Sequence, residues 1–244
     1  MTAPSISNPT HPAAAMNQVR LPRTAALGPG LGGQPRLLID APAGAAEIYL
    51  HGATLTSWVP RGGSEVIFTS RQAVFDGSTA IRGGIPLCLP EFGVGINGDA
   101  VPKHGWARIA PWQLRMVAST DDGGVRALLS VSRDHLTALY EVEIGETLRL
   151  GLSLRNDGNA PRTVEAAAHT YLSVHDVTAS LISGLAGASY SDNLAHSPQE
   201  AHRVQDGDVK ISGPVDRIYD SAEPVAVTDP GHERTIHVLS LIHI

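Results

Sequence analysis

The sequence predicts an all-β protein, a large antiparallel β-sandwich, and three observations lead to this class. Apolar and polar residues alternate with a period of two in several segments, as they do in strands that bury one face. No long segment of the sequence has the 3.6-residue periodicity of an amphipathic helix. The 25 glycines and 17 prolines suit many short strands joined by turns.

The centre of the chain predicts a meander of antiparallel strands. Leucines occupy every second position of residues 148–154, and residues 125–131 and 140–144 repeat the same alternation. Asp121-Asp-Gly-Gly124 and Asn156-Asp-Gly158 are turn signals beside these segments. Residues 47–59 also predict a strand, which Gly52 interrupts with a bulge or a close backbone approach.

The length and composition predict one domain with flanking segments. A chain of 244 residues with 42% hydrophobic content can bury one substantial core. We place the domain at residues 34–238. The first 33 residues, rich in Ala, Pro, Gly, Ser and Asn, predict a disordered tail without the apolar core of a signal peptide.

Charge and cysteine content restrict the possible partners and compartment. Eighteen basic residues against 24 acidic ones give a net charge of -6, so we expect no nucleic-acid binding. No stretch has the length of a membrane span, so we expect no membrane contact. The single cysteine, Cys88, excludes an internal disulfide and fits a reducing compartment, so we expect a cytoplasmic protein. We also expect a monomer. Its leucine neighbours favour a buried thiol over a nucleophile.

Two arginines in neighbouring loops predict a site for a small anion. Arg82 precedes a glycine pair that lets the backbone approach a ligand, and Arg108 ends the segment that begins at Lys103. The guanidinium group offers a planar fork of donors that matches carboxylate or phosphate. The alternative is that both are ordinary surface arginines on loops.

The histidines leave two interpretations open. His51, His104 and His169 could converge in space, but no short metal-binding motif is present, and we expect no metal. On an extended strand, His169, Tyr171 and Ser173 would share one face. That face is either a sugar-binding surface, where histidine can exchange protons near neutral pH, or a solvent-exposed strand face.

The order of several motifs resembles the glucose-6-phosphate 1-epimerases, which are hexose-6-phosphate mutarotases of the galactose-mutarotase-like superfamily. The resemblance covers residues 36–238 and implies a β-supersandwich fold. The motifs that carry it are Gly52-Ala-Thr, Ser57-Trp58, Ile81-Arg-Gly-Gly-Ile-Pro86, Phe92-Gly93, His104-Gly-Trp-Ala-Arg108, Trp112, His169-Thr-Tyr171 and Asp176.

The resemblance implies a role for individual residues. Arg82 and Arg108 resemble the arginines that bind the sugar phosphate, and His104 resembles a substrate-pocket histidine. His169 is similar to the catalytic acid, and Asp216 to an aspartate that accepts hydrogen bonds from sugar hydroxyls. Lys103 stands where the family usually has glutamine. The lysine adds a phosphate contact or displaces a hydroxyl contact.

The implied activity is that of an isomerase that interconverts the α and β anomers of D-glucose 6-phosphate. A carboxylate takes the C1 hydroxyl proton, an imidazolium protonates the ring oxygen, and the opened sugar closes on the other face without a cofactor. The alternative from another class is a non-catalytic phosphosugar-binding sandwich. A metal-dependent sugar isomerase is the third reading.

The glutamate base of the family has no matching motif in this sequence. Glu233 is the last glutamate, and neither it nor Glu200 or Glu223 fits the family pattern. We therefore expect the fold to be incomplete at its C-terminus and the chain to be impaired in catalysis. Residues 239–244 predict a non-native tail, because a transposase sequencing adapter encodes this run in one reading frame.

Overall fold

The computed structural model describes residues 19–197 and 201–240, and strands dominate these residues. Every strand pairing in these ranges is antiparallel, which confirms the all-β antiparallel prediction. Three 3₁₀ turns lie among the strands, at Leu31–Gly33, Ala107–Ile109 and Pro230–His232. Within the described ranges no helix is long and apolar enough to span a membrane.

The chain divides into two compact units, Met1–Leu172 and Ser173–Ile244, where the sequence predicted one domain. The first unit contains two four-stranded sheets and a two-stranded ladder. Its strands are β1 Ala25–Pro29, β2 Pro35–Ala41, β3 Gly44–Tyr49, β4 Thr54–Pro60, β5 Leu87–Cys88, β6 Gln113–Ser119, β7 Val125–Arg133, β8 Leu136–Ile144, β9 Leu148–Asn156 and β10 Ala167–Ala168.

The first sheet has the order β1-β2-β3-β4 and includes a strand that the sequence did not predict. The disordered tail was predicted to reach residue 33, but β1 pairs with β2 along its whole length, so that boundary is wrong. Backbone hydrogen bonds to β2 hold β1 in place. The small residues of this segment give no sign of that pairing in the sequence. Residues 1–18 lie outside the described ranges, as do residues 241–244 of the predicted non-native tail.

Gly52 separates two strands instead of interrupting one. It lies in the turn between β3 and β4 with φ +70°, and a Cβ added there would come within 2.4 Å of the Arg108 carbonyl oxygen. Only glycine accepts both this conformation and this approach at little cost. The predicted close approach is confirmed, whereas the bulge lies between Glu47 and Ile48.

The second sheet, in the order β6-β7-β8-β9, is the predicted meander. Val125, Ala127 and Leu129 are fully buried, and the alternate residues of β8 are buried as well. Burying a valine or leucine side chain contributes roughly 1.5–3 kcal/mol. The leucines of β9 are only half-buried or exposed because β9 is the outer strand of this sheet.

The second unit is built from shorter strands. One sheet has the order β14-β11-β16-β17 and the other β13-β12-β15. Their bounds are β11 Leu181–Ser183, β12 Ser189–Asp192, β13 His202–Val204, β14 Val209–Lys210, β15 Arg217–Asp220, β16 Val225–Asp229 and β17 Arg234–Val238.

A buried carboxylate in the second unit contacts three other residues of that unit. Asp229 is fully buried at the end of β16, and its Oδ2 lies 2.7 Å from His232 Nδ1 and 3.3 Å from Arg234 Nε. Its Oδ1 accepts the backbone N–H of His175 at 3.1 Å. Burial alone would raise the pKa of Asp229, but hydrogen bonds from His232 and His175 and the nearby positive charges lower it below its ordinary value.

We predict that Asp229→Asn lowers the free energy of unfolding at pH 7 by about 2–3 kcal/mol, because it removes charge-assisted bonds at a buried position. Since the folded pKa is depressed, the stabilisation is present above the unfolded pKa of about 4 and disappears as the pH falls through the folded pKa. Urea unfolding from pH 7 to pH 3 measures this. Asp206→Asn, at an exposed position, is the control. A constant gap between wild type and Asp229→Asn down to pH 3 would contradict the prediction.

Candidate active site

The segment around His104 is held by backbone contacts to the residues that follow β5. The Ala107 N–H donates to the Leu89 carbonyl at 3.0 Å, and the His104 N–H donates to the Gly93 carbonyl at 2.7 Å. His104 has φ +67°, which is unusual for a residue with a Cβ. These bonds stabilise a conformation that turns the imidazole toward the loop at residues 92–93.

The His104 ring is surrounded on its Nδ1 side. The Gly93 N–H donates to Nδ1 at 3.1 Å, the Cys88 sulfur lies 3.6 Å from the same atom, and the Phe92 ring meets the imidazole edge-on at 5.2 Å between centroids. Burial lowers the pKa of His104, and the charges of Arg108, Lys103 and His169 lower it further. His104 is therefore a neutral imidazole at neutral pH.

The predicted burial of Cys88 is confirmed. Its side chain is 1% exposed, and burial raises the pKa of the thiol above its ordinary value. A protonated, enclosed thiol is a poor nucleophile. Cys88 therefore contributes packing beside His104.

His169 lies next to His104, with 6.1 Å between the ring centroids. The His169 N–H donates to the Pro86 carbonyl at 3.0 Å, which continues the pairing of β10 with β5. The Tyr171 ring lies 4.9 Å from the His169 ring, so these alternate residues share one side, as the sequence predicted. Regular strand geometry, however, covers only Ala167–Ala168. His169 itself is exposed, which leaves its imidazole accessible.

Arg82 is exposed in the loop that precedes β5, directly after buried Ile81. The glycine pair behind it has a different role from the one predicted. A Cβ at Gly83 would lie 2.6 Å from the Phe68 carbonyl oxygen, and one at Gly84 would lie 2.5 Å from the Leu55 carbonyl oxygen. These glycines allow close packing of protein backbone rather than approach of a ligand, so the earlier interpretation of the pair is wrong.

Arg108 is anchored at one end of its guanidinium group. Its Nη2 donates to the Lys103 carbonyl at 2.7 Å, and its buried Nε has no hydrogen-bond partner among the described residues. Lys103 itself is exposed. The bond to Lys103 fixes one end of the guanidinium group, and the binding of an anion by Arg108 stays a prediction.

The turn at residues 51–54 supports both arginine loops. His51 is buried, and its Nε2 lies 2.7 Å from the Thr79 carbonyl oxygen, shortly before Arg82. On the other side, the Gly52 N–H donates to the Ala110 carbonyl at 2.8 Å, shortly after Arg108. The described residues contain no group of three His, Cys, Asp or Glu side chains arranged to hold a metal ion.

The remaining predicted carboxylates lie in the second unit. Asp216 precedes β15 and is exposed, and its Oδ1 accepts a hydrogen bond from Asn193 Nδ2 at 3.0 Å. Glu233 is exposed in a left-handed conformation after a 3₁₀ turn, and Glu223 is exposed. Glu200 lies outside the described ranges. The role of Asp216 toward a sugar stays a prediction.

One carboxylate of the first unit was missed by the sequence reasoning. Glu165 is half-buried, and its Oε2 accepts the backbone N–H of Phe92 at 3.2 Å. The available signal was a lone glutamate before three alanines, shortly ahead of His169. Such a glutamate needs a polar partner when it is withdrawn from solvent.

The sequence profile of the family described as aldose 1-epimerase matches residues 35–241 of this chain. The chain belongs to the aldose 1-epimerase family. A Salmonella typhimurium LT2 protein, provisionally named glucose-6-phosphate 1-epimerase, is 29% identical over 218 residues, which cover 85% of this chain and 71% of that protein. A Cenchrus ciliaris protein with the same provisional name is 31% identical over 211 residues, which cover 79% of this chain and 63% of that protein.

The structural comparison agrees with this membership. The crystal structure of a provisionally assigned mutarotase from Salmonella typhimurium matches with a TM-score of 0.80 at 28% identity, covering 90% of this chain and 75% of the other. The predicted mutarotase-like β fold is therefore confirmed. The chain spans roughly two thirds of the length of the two relatives, at 71% and 63%.

Gly105 gives a test of how the epimerase-family site is held. It has φ +69°, and a Cβ would lie 2.2 Å from the Leu89 carbonyl oxygen. We predict that Gly105→Ala destabilises the protein by at least about 2 kcal/mol more than Gly98→Ala. Gly98 has a similar φ of +76° with open space around it, so it reports conformational strain without the clash. Urea unfolding of both variants measures the difference, and equal stabilities would sink the prediction.

Proposed function

We propose that this chain interconverts the α and β anomers of a hexose 6-phosphate, with glucose 6-phosphate as the expected substrate, and at a reduced rate because no glutamate of the sequence matches the base of the family. The observation that carries the proposal is the pair of imidazoles, His104 and His169, whose ring centroids lie 6.1 Å apart. Membership of the aldose 1-epimerase family supports sugar ring opening, and the names of two relatives support the phosphorylated substrate.

The proposed reaction is proton transfer at both ends of the C1–O5 bond. A base takes the proton of the C1 hydroxyl while His169, as imidazolium, gives its proton to the ring oxygen. The C1–O5 bond breaks to a free aldehyde with a C5 hydroxyl. Rotation about the C1–C2 bond and reversal of both transfers then forms the other anomer and restores both groups.

The other side chains bind and orient the sugar. His104 is neutral because its lowered pKa disfavours the imidazolium. In this form it donates a hydrogen bond to a sugar hydroxyl. Arg82 and Arg108 are proposed to bind the phosphate, and the exposed Lys103, whose carbonyl is bonded to Arg108, adds positive charge near Arg108. Asp216 is proposed to accept hydrogen bonds from sugar hydroxyls.

His169→Asn is expected to lower the rate of anomer exchange about 10²- to 10⁴-fold, which is the usual contribution of one positioned proton donor. Two-dimensional exchange NMR on glucose 6-phosphate measures the rate against spontaneous mutarotation. Exposed His237 offers the control His237→Asn. If His169→Asn exchanges anomers as fast as wild type, His169 is not the acid.

Arg82→Gln and Arg108→Gln are each expected to weaken binding of glucose 6-phosphate about 10- to 100-fold, since each removes a charge-assisted contact. Binding of unphosphorylated glucose should change little. Calorimetric titration with both sugars separates a phosphate contact from general damage to the site. An equal loss for the two sugars would contradict the phosphate assignment.

The same exchange measurement on the unsubstituted chain tests whether the chain contains a base. Exchange well above the spontaneous rate requires a base among these 244 residues. Phosphosugar binding without exchange is instead the result that a non-catalytic binding sandwich predicts. Binding without exchange would overturn the proposal that this chain is an enzyme.

A further inference from the structure

Glu165 makes two hydrogen bonds to one short loop of the first unit. Its side-chain Oε2 accepts the Phe92 N–H at 3.2 Å, and its backbone N–H donates to the Pro90 carbonyl at 2.8 Å. Both bonds join the segment before β10 to the residues that follow β5. The loop at residues 90–92 is therefore held at both ends by a single residue.

The next residue of this loop, Gly93, bonds to His104 through both of its backbone groups. Its N–H donates to His104 Nδ1 at 3.1 Å, and its carbonyl accepts the His104 N–H at 2.7 Å. The Phe92 ring lies against the edge of the same imidazole. The orientation of the Phe92–Gly93 peptide thus determines whether a backbone donor faces Nδ1, beside the Cys88 thiol 3.6 Å from the same atom.

A donor aimed at Nδ1 selects one form of the neutral imidazole. Nδ1 must carry the lone pair, so the ring proton resides on Nε2, the nitrogen on the opposite side of the ring. The opposite tautomer would place two N–H groups against each other. Because His104 is neutral at neutral pH, its tautomer decides whether it can donate to a ligand at Nε2.

We propose that Glu165 is a positioning residue that fixes the loop at residues 92–93 and thereby holds His104 as the Nε2–H tautomer. The inference rests on the proposed function, in which that Nε2–H binds a sugar hydroxyl. It adds a residue that affects substrate binding through His104 without touching the substrate.

A carboxylate suits this task for two reasons. It only accepts hydrogen bonds when ionised, so it cannot turn a donor toward the Phe92 N–H, and an ionised acceptor makes the stronger bond. Glu165 also belongs to the same extended segment as His169, whose N–H is bonded to Pro86. One segment therefore carries the proposed acid and sets the orientation of its neighbouring imidazole.

Histidine ring ¹⁵N spectra of the free protein test the proposal directly, with His104→Gln used to assign the signals. We expect the wild-type protein and Glu165→Gln, which keeps a side-chain oxygen acceptor, to show protonation at Nε2. Glu165→Ala should move His104 toward a mixture of tautomers. It should also raise KM for glucose 6-phosphate about fivefold or more with a smaller change in kcat, in line with the loss of about one hydrogen bond.

Glu146→Ala removes a carboxylate whose side chain is 71% exposed and serves as the matched control. Unchanged His104 signals in Glu165→Ala would overturn the proposal, as would a shift in Glu165→Gln as large as that in Glu165→Ala. A His104 that carries its proton on Nδ1 in the wild type would also overturn it. The spectra need no turnover, so a chain inactive in anomer exchange would fail the proposed function while leaving this test intact.

Discussion

Backbone hydrogen bonds between the segment after Arg82 and the segment around His169 are the constraint on which the site depends. Gly84 and Pro86 accept the N–H groups of Tyr171 and His169 at 2.9 and 3.0 Å, and β5 pairs with β10 beside them. In an antiparallel ladder a shift by one residue would turn each side chain to the opposite face. The register thus sets which side chains of two distant segments meet at the imidazole pair.

The loops that complete the site are held mainly by backbone contacts. Gly52 and Gly105 each lie so close to a neighbouring carbonyl that no side chain fits, and His104 is bonded through its N–H to Gly93. Tight packing of this kind removes water from one side of the imidazole and places Arg108 near it. Together these effects keep His104 neutral, and they support the proposal that the exposed His169 transfers the proton.

Much of the fold follows from local patterns, and the exceptions have physical causes. The alternation in β7 and β8 predicted strands because one face of each is buried, and Asp121-Asp-Gly-Gly124 predicted the turn before β7. The sequence did not predict β1, because the stability of this strand comes from pairing with β2. The role of Glu165 was not predicted, because its hydrogen-bond partner is a backbone N–H far away in the sequence.

The sequence by itself determined the all-β class, the meander, and the residue types that are proposed to bind phosphate and transfer protons. These properties depend on periodicity and on side-chain chemistry, which are local. Only the tertiary structure decided that His104 and His169 lie side by side, that the glycines after Arg82 accommodate backbone, and that Gly93 faces Nδ1 of His104. Those facts depend on strand register and loop packing, because separation along a chain does not specify distance in space.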